Sequence, residues 1–264
     1  MSSLGMTSFR MVDGRVRGLD LHLERLRTYS ALESVPWTTE VEQAILGRLR
    51  SFGPGPCNPK ISLEGTQWVV THRPDRVVED AAIVRVHPVP DERYNPTVKG
   101  PDIYMLSVLM HRAHEKGATE GILGCPEAPR DRIVECFYST PLAFDADGVV
   151  HVSTHPRALA SVTAGLVLPL VERWGFRVIR HELGLRPPHL MRSHVWLLNS
   201  FSGVRSVSHW LEYAAMVPAS CPEIPEHITR AAGIDDAAGP AAWEQLRGVV
   251  NDYLWAQAQS VHDV

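Results

Sequence analysis

Three short segments of this 264-residue chain carry residue types able to do covalent or anion-binding chemistry. Lys99 follows a proline-marked stretch, Pro88 to Pro96, and precedes a helical pattern, so its amine stands at a junction between structural units. Such junctions favour small-molecule pockets. Glu135 ends the apolar Ile133-Val134 and is followed by uncharged residues as far as Leu142. A carboxylate there is costly unless a donor or a cation meets it. Ser161-Val162-Thr163-Ala164-Gly165 opens an apolar helix. Free amides and the positive end of the helix dipole at such a start suit a phosphate.

Taken singly, each segment has an ordinary reading: a solvated surface lysine, a barrel-rim ion-pair partner, and a helix N-cap. Taken together, a lysine, a strand-end acid and a phosphate-ready helix start are the parts a pyridoxal-phosphate site needs.

The elements that must position them follow from periodicity. Thr7 to Val12 alternates like a strand, Asp13-Gly14 is a hairpin signal, and Arg15 to Gly18 returns. Asp20 is the expected cap of a helix over Leu21–Leu32, and Thr38 or Thr39 that of a second over Thr39–Leu49. Strands are expected at 60–63, 66–71 and 82–86, then at 121–123, 132–135, 138–144, 149–152, 176–180 and 195–198. Helices are expected at 102–115, 163–174 and 241–256. Frequent hairpins among interleaved helices predict an α+β, two-domain protein. A small N-terminal α/β domain would cover residues 1–90, a linker 91–98, and a larger barrel-like domain 99–264.

Over Thr7 to Val207 the chain resembles the class-IV aminotransferase family, the fold-type IV pyridoxal-phosphate enzymes. That family includes branched-chain and D-amino-acid aminotransferases and aminodeoxychorismate lyase. The resemblance rests on Thr7-Ser8-Phe9-Arg10-Met11-Val12-Asp13-Gly14 with His22-Leu23-Glu24-Arg25-Leu26, and on Lys99 with Tyr104. It continues in Ala118 to Leu123, Ile133-Val134-Glu135, Ser161-Val162-Thr163-Ala164 and Leu197 to Val207. It implies that Lys99 carries pyridoxal 5′-phosphate as a Schiff base and that Arg25 holds the phosphate. It implies further that Tyr104 bonds the ring oxygen and that Glu135 pairs with the ring nitrogen. The phosphate would also meet the amides of Val162 and Thr163, with Phe201 and Ser202 supplying the last turn. A homodimer and a small amino- or keto-acid substrate are implied as well. The family's G-I-T-R is altered here to Ser161 and Ala164 at its ends, and Thr140 and Phe201 replace an asparagine and a threonine.

An aminotransferase is the leading reading, and a carbon–carbon lyase forming 4-aminobenzoate shares its site. The asparagine at 199 leans towards the lyase, while the altered phosphate loop motivates a third reading, a non-catalytic binding protein. A metal or hydrolytic reading could be built on the 13 histidines. His111 and His114 have no further ligand at a suitable spacing, so no metal is expected. The net charge of −4 gives no basic field for nucleic acid. Four scattered cysteines, no leader pattern over Met1 to Met11 and no long apolar run point to a cytoplasmic protein without a membrane span.

Overall fold

The computed structural model describes residues 4–234 and 237–263, so the first residues of the leader reading lie outside it. In chain order the elements are β1 (Gly5–Ser8), β2 (Met11–Val12), β3 (Arg15–Val16), α1 (Leu19–Leu32), α2 (Thr39–Arg50), β4 (Pro56–Cys57), β5 (Lys60–Glu64) and β6 (Gln67–Thr71). Next come β7 (Ala81–Pro90), α3 (Ile103–His114), β8 (Glu120–Gly124), β9 (Ile133–Cys136), β10 (Thr140–Phe144), β11 (Val149–Ser153), α4 (Val162–Arg173) and β12 (Arg177–His181). The chain closes with α5 (Pro187–Met191), β13 (His194–Asn199), β14 (Gly203–Glu212), β15 (Ala215–Pro218), α6 (Glu226–Ala232), α7 (Gly239–Ala256) and β16 (Gln259–Ser260). The fold is α+β, as the interleaved pattern predicts.

The N-terminal part builds two small sheets, β1-β5-β6 and β16-β3-β2-β4. Asp13 and Gly14, at φ 50° and 73°, make the tight β2–β3 turn that the Asp-Gly pair signals. The cap of α1 is Gly18 at φ 66°, not Asp20, and no side chain bonds the helix start. A Cβ at Gly18 would press on Val162 and Leu166 at 3.1 Å, so the missing side chain lets α1 meet the start of α4. Thr38 caps α2 as expected, accepting from the Val41 amide. The inner faces of α1 and α2 close over the β2–β3 hairpin around Phe9, Met11, Leu26 and Leu46.

A mixed sheet in the order β12-β11-β10-β13-β14-β7-β8-β9, with β15 beside β14, forms the rest. The parallel pairs β7/β8 and β11/β12 are joined by α3 and α4, because a parallel connection needs a crossover. Phe144, Trp196 and Trp243 centre the core between this sheet and α4 and α7.

Two expectations change. Residues 81–90, expected to close the N-terminal unit, run instead between β14 and β8 in the large sheet. Residues 91–98 do not form a free spacer: Asp91 and Arg93 are buried at 1% and 6% exposure. Among the described residues no helix is long and apolar enough to cross a membrane.

Candidate active site

Lys99 is fixed through its backbone by the N-terminal elements. Its carbonyl accepts from the Met6 amide of β1 at 2.6 Å, and its own amide donates to the Tyr29 hydroxyl of α1 at 2.9 Å. Gly100, at φ 139°, lets the chain pass so close that a Cβ would lie 3.3 Å from the Gly5 backbone. The half-buried amine lines a cavity of about 660 Å³, mouth included, together with Arg25, Glu135, Tyr138, Val162 and Asn199. Burial, then the positive charge of Arg25 and Arg73, lowers the lysine to about 7.

Glu135 is buried at the end of β9. Its Oε1 accepts from Arg93 at 2.6 Å and from the Leu159 amide at 3.0 Å, and the residue lines the cavity. Burial pushes the carboxyl up to about 7 against the pull of Arg93. Arg93 is itself clamped by both oxygens of Asp91, at 2.8 and 3.0 Å, and Arg157 joins Asp91 at 2.9 Å. A guanidinium so held keeps an ionised partner favoured despite the burial. Arg93 was missed in the sequence because it sits in the proline-rich stretch read as a linker. Its signal was a buried acid in need of a cation.

At the other end, Arg25 projects from α1 and donates to the Ala160 carbonyl beside the start of α4. The first amides of α4 have no intrahelical partner. Val162 lines the cavity, whereas Thr163 is buried in the first helical turn and is not part of the wall. The Ser161 hydroxyl caps the helix by accepting from the Ala164 amide at 3.2 Å. His22, one turn before Arg25, leaves its buried Nε2 without a partner while Nδ1 meets the Thr7 hydroxyl at 2.6 Å.

Two groups of expected site residues are placed differently from the expectation. Tyr104 is 78% exposed and outside the cavity; Tyr138 lines it instead. The amides of Phe201 and Ser202 both donate to Asn199 Oδ1, at 3.0 and 2.7 Å, so neither is free for a phosphate. Asn199 also donates to Ser139, whose hydroxyl donates to the buried Glu120 at 2.8 Å. This polar tie holds the β13–β14 turn against the cavity wall.

An amine of lowered basicity, a buried acid and an arginine beside free helix amides, all facing one cavity, define a site for a phosphorylated aldehyde cofactor. The model of the amino-transferase class IV family matches residues 6–210, and the chain belongs to that family. Pyridoxal 5′-phosphate is the cofactor of this family. Among solved structures the chain is similar to a fold IV transaminase from Curtobacterium pusillum, at 17% identity and TM-score 0.71, covering 96% of this chain and 86% of that one. A hypothetical aminotransferase from Mycobacterium tuberculosis, in a form with α-ketoglutarate and PMP bound, matches at 14% identity and TM-score 0.70, over 96% and 89%. A candidate 4-amino-4-deoxychorismate lyase matches at 22% identity and TM-score 0.64, over 86% and 88%. No curated protein matches the chain.

The residues present fit the cofactor. The wall offers the Lys99 amine, the Glu135 carboxyl group, and the start of α4 with the Arg25 guanidinium beside it, the chemical partners that an aldehyde, a ring nitrogen and a phosphate need.

Proposed function

We propose that the chain is a pyridoxal-phosphate-dependent aminotransferase acting on a small amino or keto acid, or an amine, with Lys99 as the residue bonded to the cofactor. The observation that carries this reading is that Lys99, Glu135, Arg25 and Val162 line a single cavity. When bound, the cofactor supplies an electron sink for the bond broken at the substrate's α-carbon. Glu135, braced by Arg93, holds the proton on the ring nitrogen. Arg25 and the Val162 amide at the start of α4 bind the phosphate. Tyr138, which lines the cavity where Tyr104 does not, would orient the ring oxygen. Lys99 would hold the cofactor and, as a free amine, would serve as the base: an amine lowered to about 7 accepts a proton at neutral pH without being fully protonated beforehand. A homodimer in the reduced cytoplasm completes the reading.

Asn199 favours a second reading. It lines the cavity and belongs to the asparagine version of the turn, which leans towards carbon–carbon lyases of the same family.

The test is reconstitution with pyridoxal phosphate followed by amino donors. An aminotransferase converts the visible band to that of the pyridoxamine form. A lyase leaves the band in place and releases pyruvate with 4-aminobenzoate from aminodeoxychorismate. Lys99→Ala should abolish covalent attachment and lower turnover by about 10²–10⁴-fold. A Lys99→Ala protein that still gives a borohydride-trapped adduct at the site would sink both readings.

A further inference from the structure

Away from the cavity, at the edge of the large sheet, three histidines converge. His151 on β11 and His181 at the end of β12 lie two register positions apart on parallel neighbours, with His151 opposite Ile179 and Ser153 opposite His181. Alternation therefore puts both side chains on one face of the sheet. The short helix α5 lies over that face and adds His189, whose ring stacks on His151 with centroids 4.5 Å apart. One nitrogen from each of the three rings lies within 4.8 Å of the others.

We propose that His151, His181 and His189 form a binding site for a divalent transition-metal ion, zinc foremost. His151 Nδ1 and His181 Nε2 are 2.9 Å apart. Two nitrogens bound to one tetrahedral zinc at about 2.0–2.1 Å stand roughly 3.3 Å apart, so this pair needs only a small opening. The other nitrogen of His151, Nε2, meets Asp145 Oδ2 at 3.1 Å. The opposite carboxylate oxygen is pinned by the amides of Asp147 and Val149, at 3.0 and 2.9 Å. A carboxylate that takes the far N–H of an imidazole fixes the tautomer whose near nitrogen carries the lone pair, which is how metal-binding histidines are braced. His189 makes only a long 3.3 Å contact, accepting at Nδ1 from the Arg186 amide, and that is easily given up. Arg132 and Arg186 oppose a cation there, and the Asp145 carboxylate offsets part of their charge.

Three neutral nitrogens suit zinc, nickel or copper better than magnesium or calcium. All three rings are partly exposed, which gives an ion a way in. Bound, the ion would tie the edge strand β12 and α5 to β11, ahead of the strand that ends at Asn199.

The test is calorimetric titration of zinc into chelator-treated, pyridoxal-phosphate-loaded protein. One saturable ion per chain is expected. His181→Gln/His189→Gln should weaken it by at least 100-fold, and Asp145→Asn by about 10–100-fold. His111→Gln/His114→Gln, on the exposed face of α3, should leave it unchanged. In wild type, zinc should also protect His151, His181 and His189 from diethyl pyrocarbonate, a readout independent of any variant's folding. Absence of a stoichiometric ion, or binding that leaves those three rings fully reactive, overturns the proposal.

Discussion

The two ends of the cavity are built differently. At the acid end, Glu135, Arg93, Asp91 and Arg157 form a closed network in which each charge meets an opposite one within 3.0 Å. At the phosphate end, Arg25 donates to one backbone carbonyl, the Val162 and Thr163 amides have no intrahelical partner, and the Phe201 and Ser202 amides are turned onto Asn199. The acid end pairs its charges within the protein, whereas the start of α4 keeps helix amides without an intrahelical partner, as an anion site requires. One end should therefore report on stability and the other on ligand affinity.

The largest effect tests the first half of that contrast. Arg93→Ala leaves Glu135 and Asp91 buried with fewer cations, and losing one partner of a buried pair costs about 3–5 kcal/mol. Urea denaturation should show that loss. Glu135→Gln in the Arg93→Ala background should then cost much less than alone, because the pair is already broken. Additive effects, or a loss below about 1 kcal/mol, would mean that the network is not a unit.

This region also shows where sequence reading stops. Lys99, Glu135, Arg25 and the segment from Ser161 were legible because each is a residue type with one obvious chemistry, in an order that resembles a known family. Arg93 was not. Among prolines and charges it looks solvated, and its burial depends on β7 extending to Pro90 and delivering it beside β9. The strand β14 was likewise hidden. Its first residues were read as an active-site turn, and its pairing with β7 across more than 100 residues leaves no local trace. Tyr104 lies off the cavity wall for a geometric reason. The buried face of α3 is Leu106, Met110 and Ala113, and a residue two before Leu106 points about 160° away from it.

At the phosphate end, Arg25→Ala should barely change unfolding, since its guanidinium donates to one backbone carbonyl beside Ser161. It should instead weaken pyridoxal phosphate. A hydrogen bond to a charged group contributes about 1.5–3 kcal/mol, so a roughly 10- to 100-fold rise in Kd is expected. Pyridoxal, which lacks the phosphate, should bind equally to both proteins. Equal weakening of the two ligands would remove Arg25 from the phosphate end.

Between the ends, Lys99 gives a pH signature. Its native basicity lies near 7 instead of 10.5, so trapping of pyridoxal phosphate by borohydride on the apo-protein should rise with a midpoint near pH 7. The sign for stability follows. From about pH 7 to 10.5 the unfolded lysine holds a proton that the folded one has lost, so this residue makes stability rise with pH across that window. Below it both forms are protonated and the full burial cost stands. A trapping midpoint near that of an ordinary lysine would place the amine in open water.

The smallest effect concerns the tyrosines. Tyr138 lines the cavity, lies two residues after β9, and has its hydroxyl acidity weakened mainly by burial. A single neutral hydrogen bond is worth about 1 kcal/mol net, so Tyr138→Phe should reduce turnover or cofactor affinity by roughly fivefold and shift the visible band. Tyr104→Phe changes a ring on the solvent side of α3 and should change neither. Phenylalanine keeps the packing in both cases, so a difference between the variants reports on the hydroxyl alone. The reverse ranking would show that α3 turns its outer face to the cofactor in the working enzyme. The family-like spacing from Lys99 would then outweigh the helix phase set by Leu106, Met110 and Ala113.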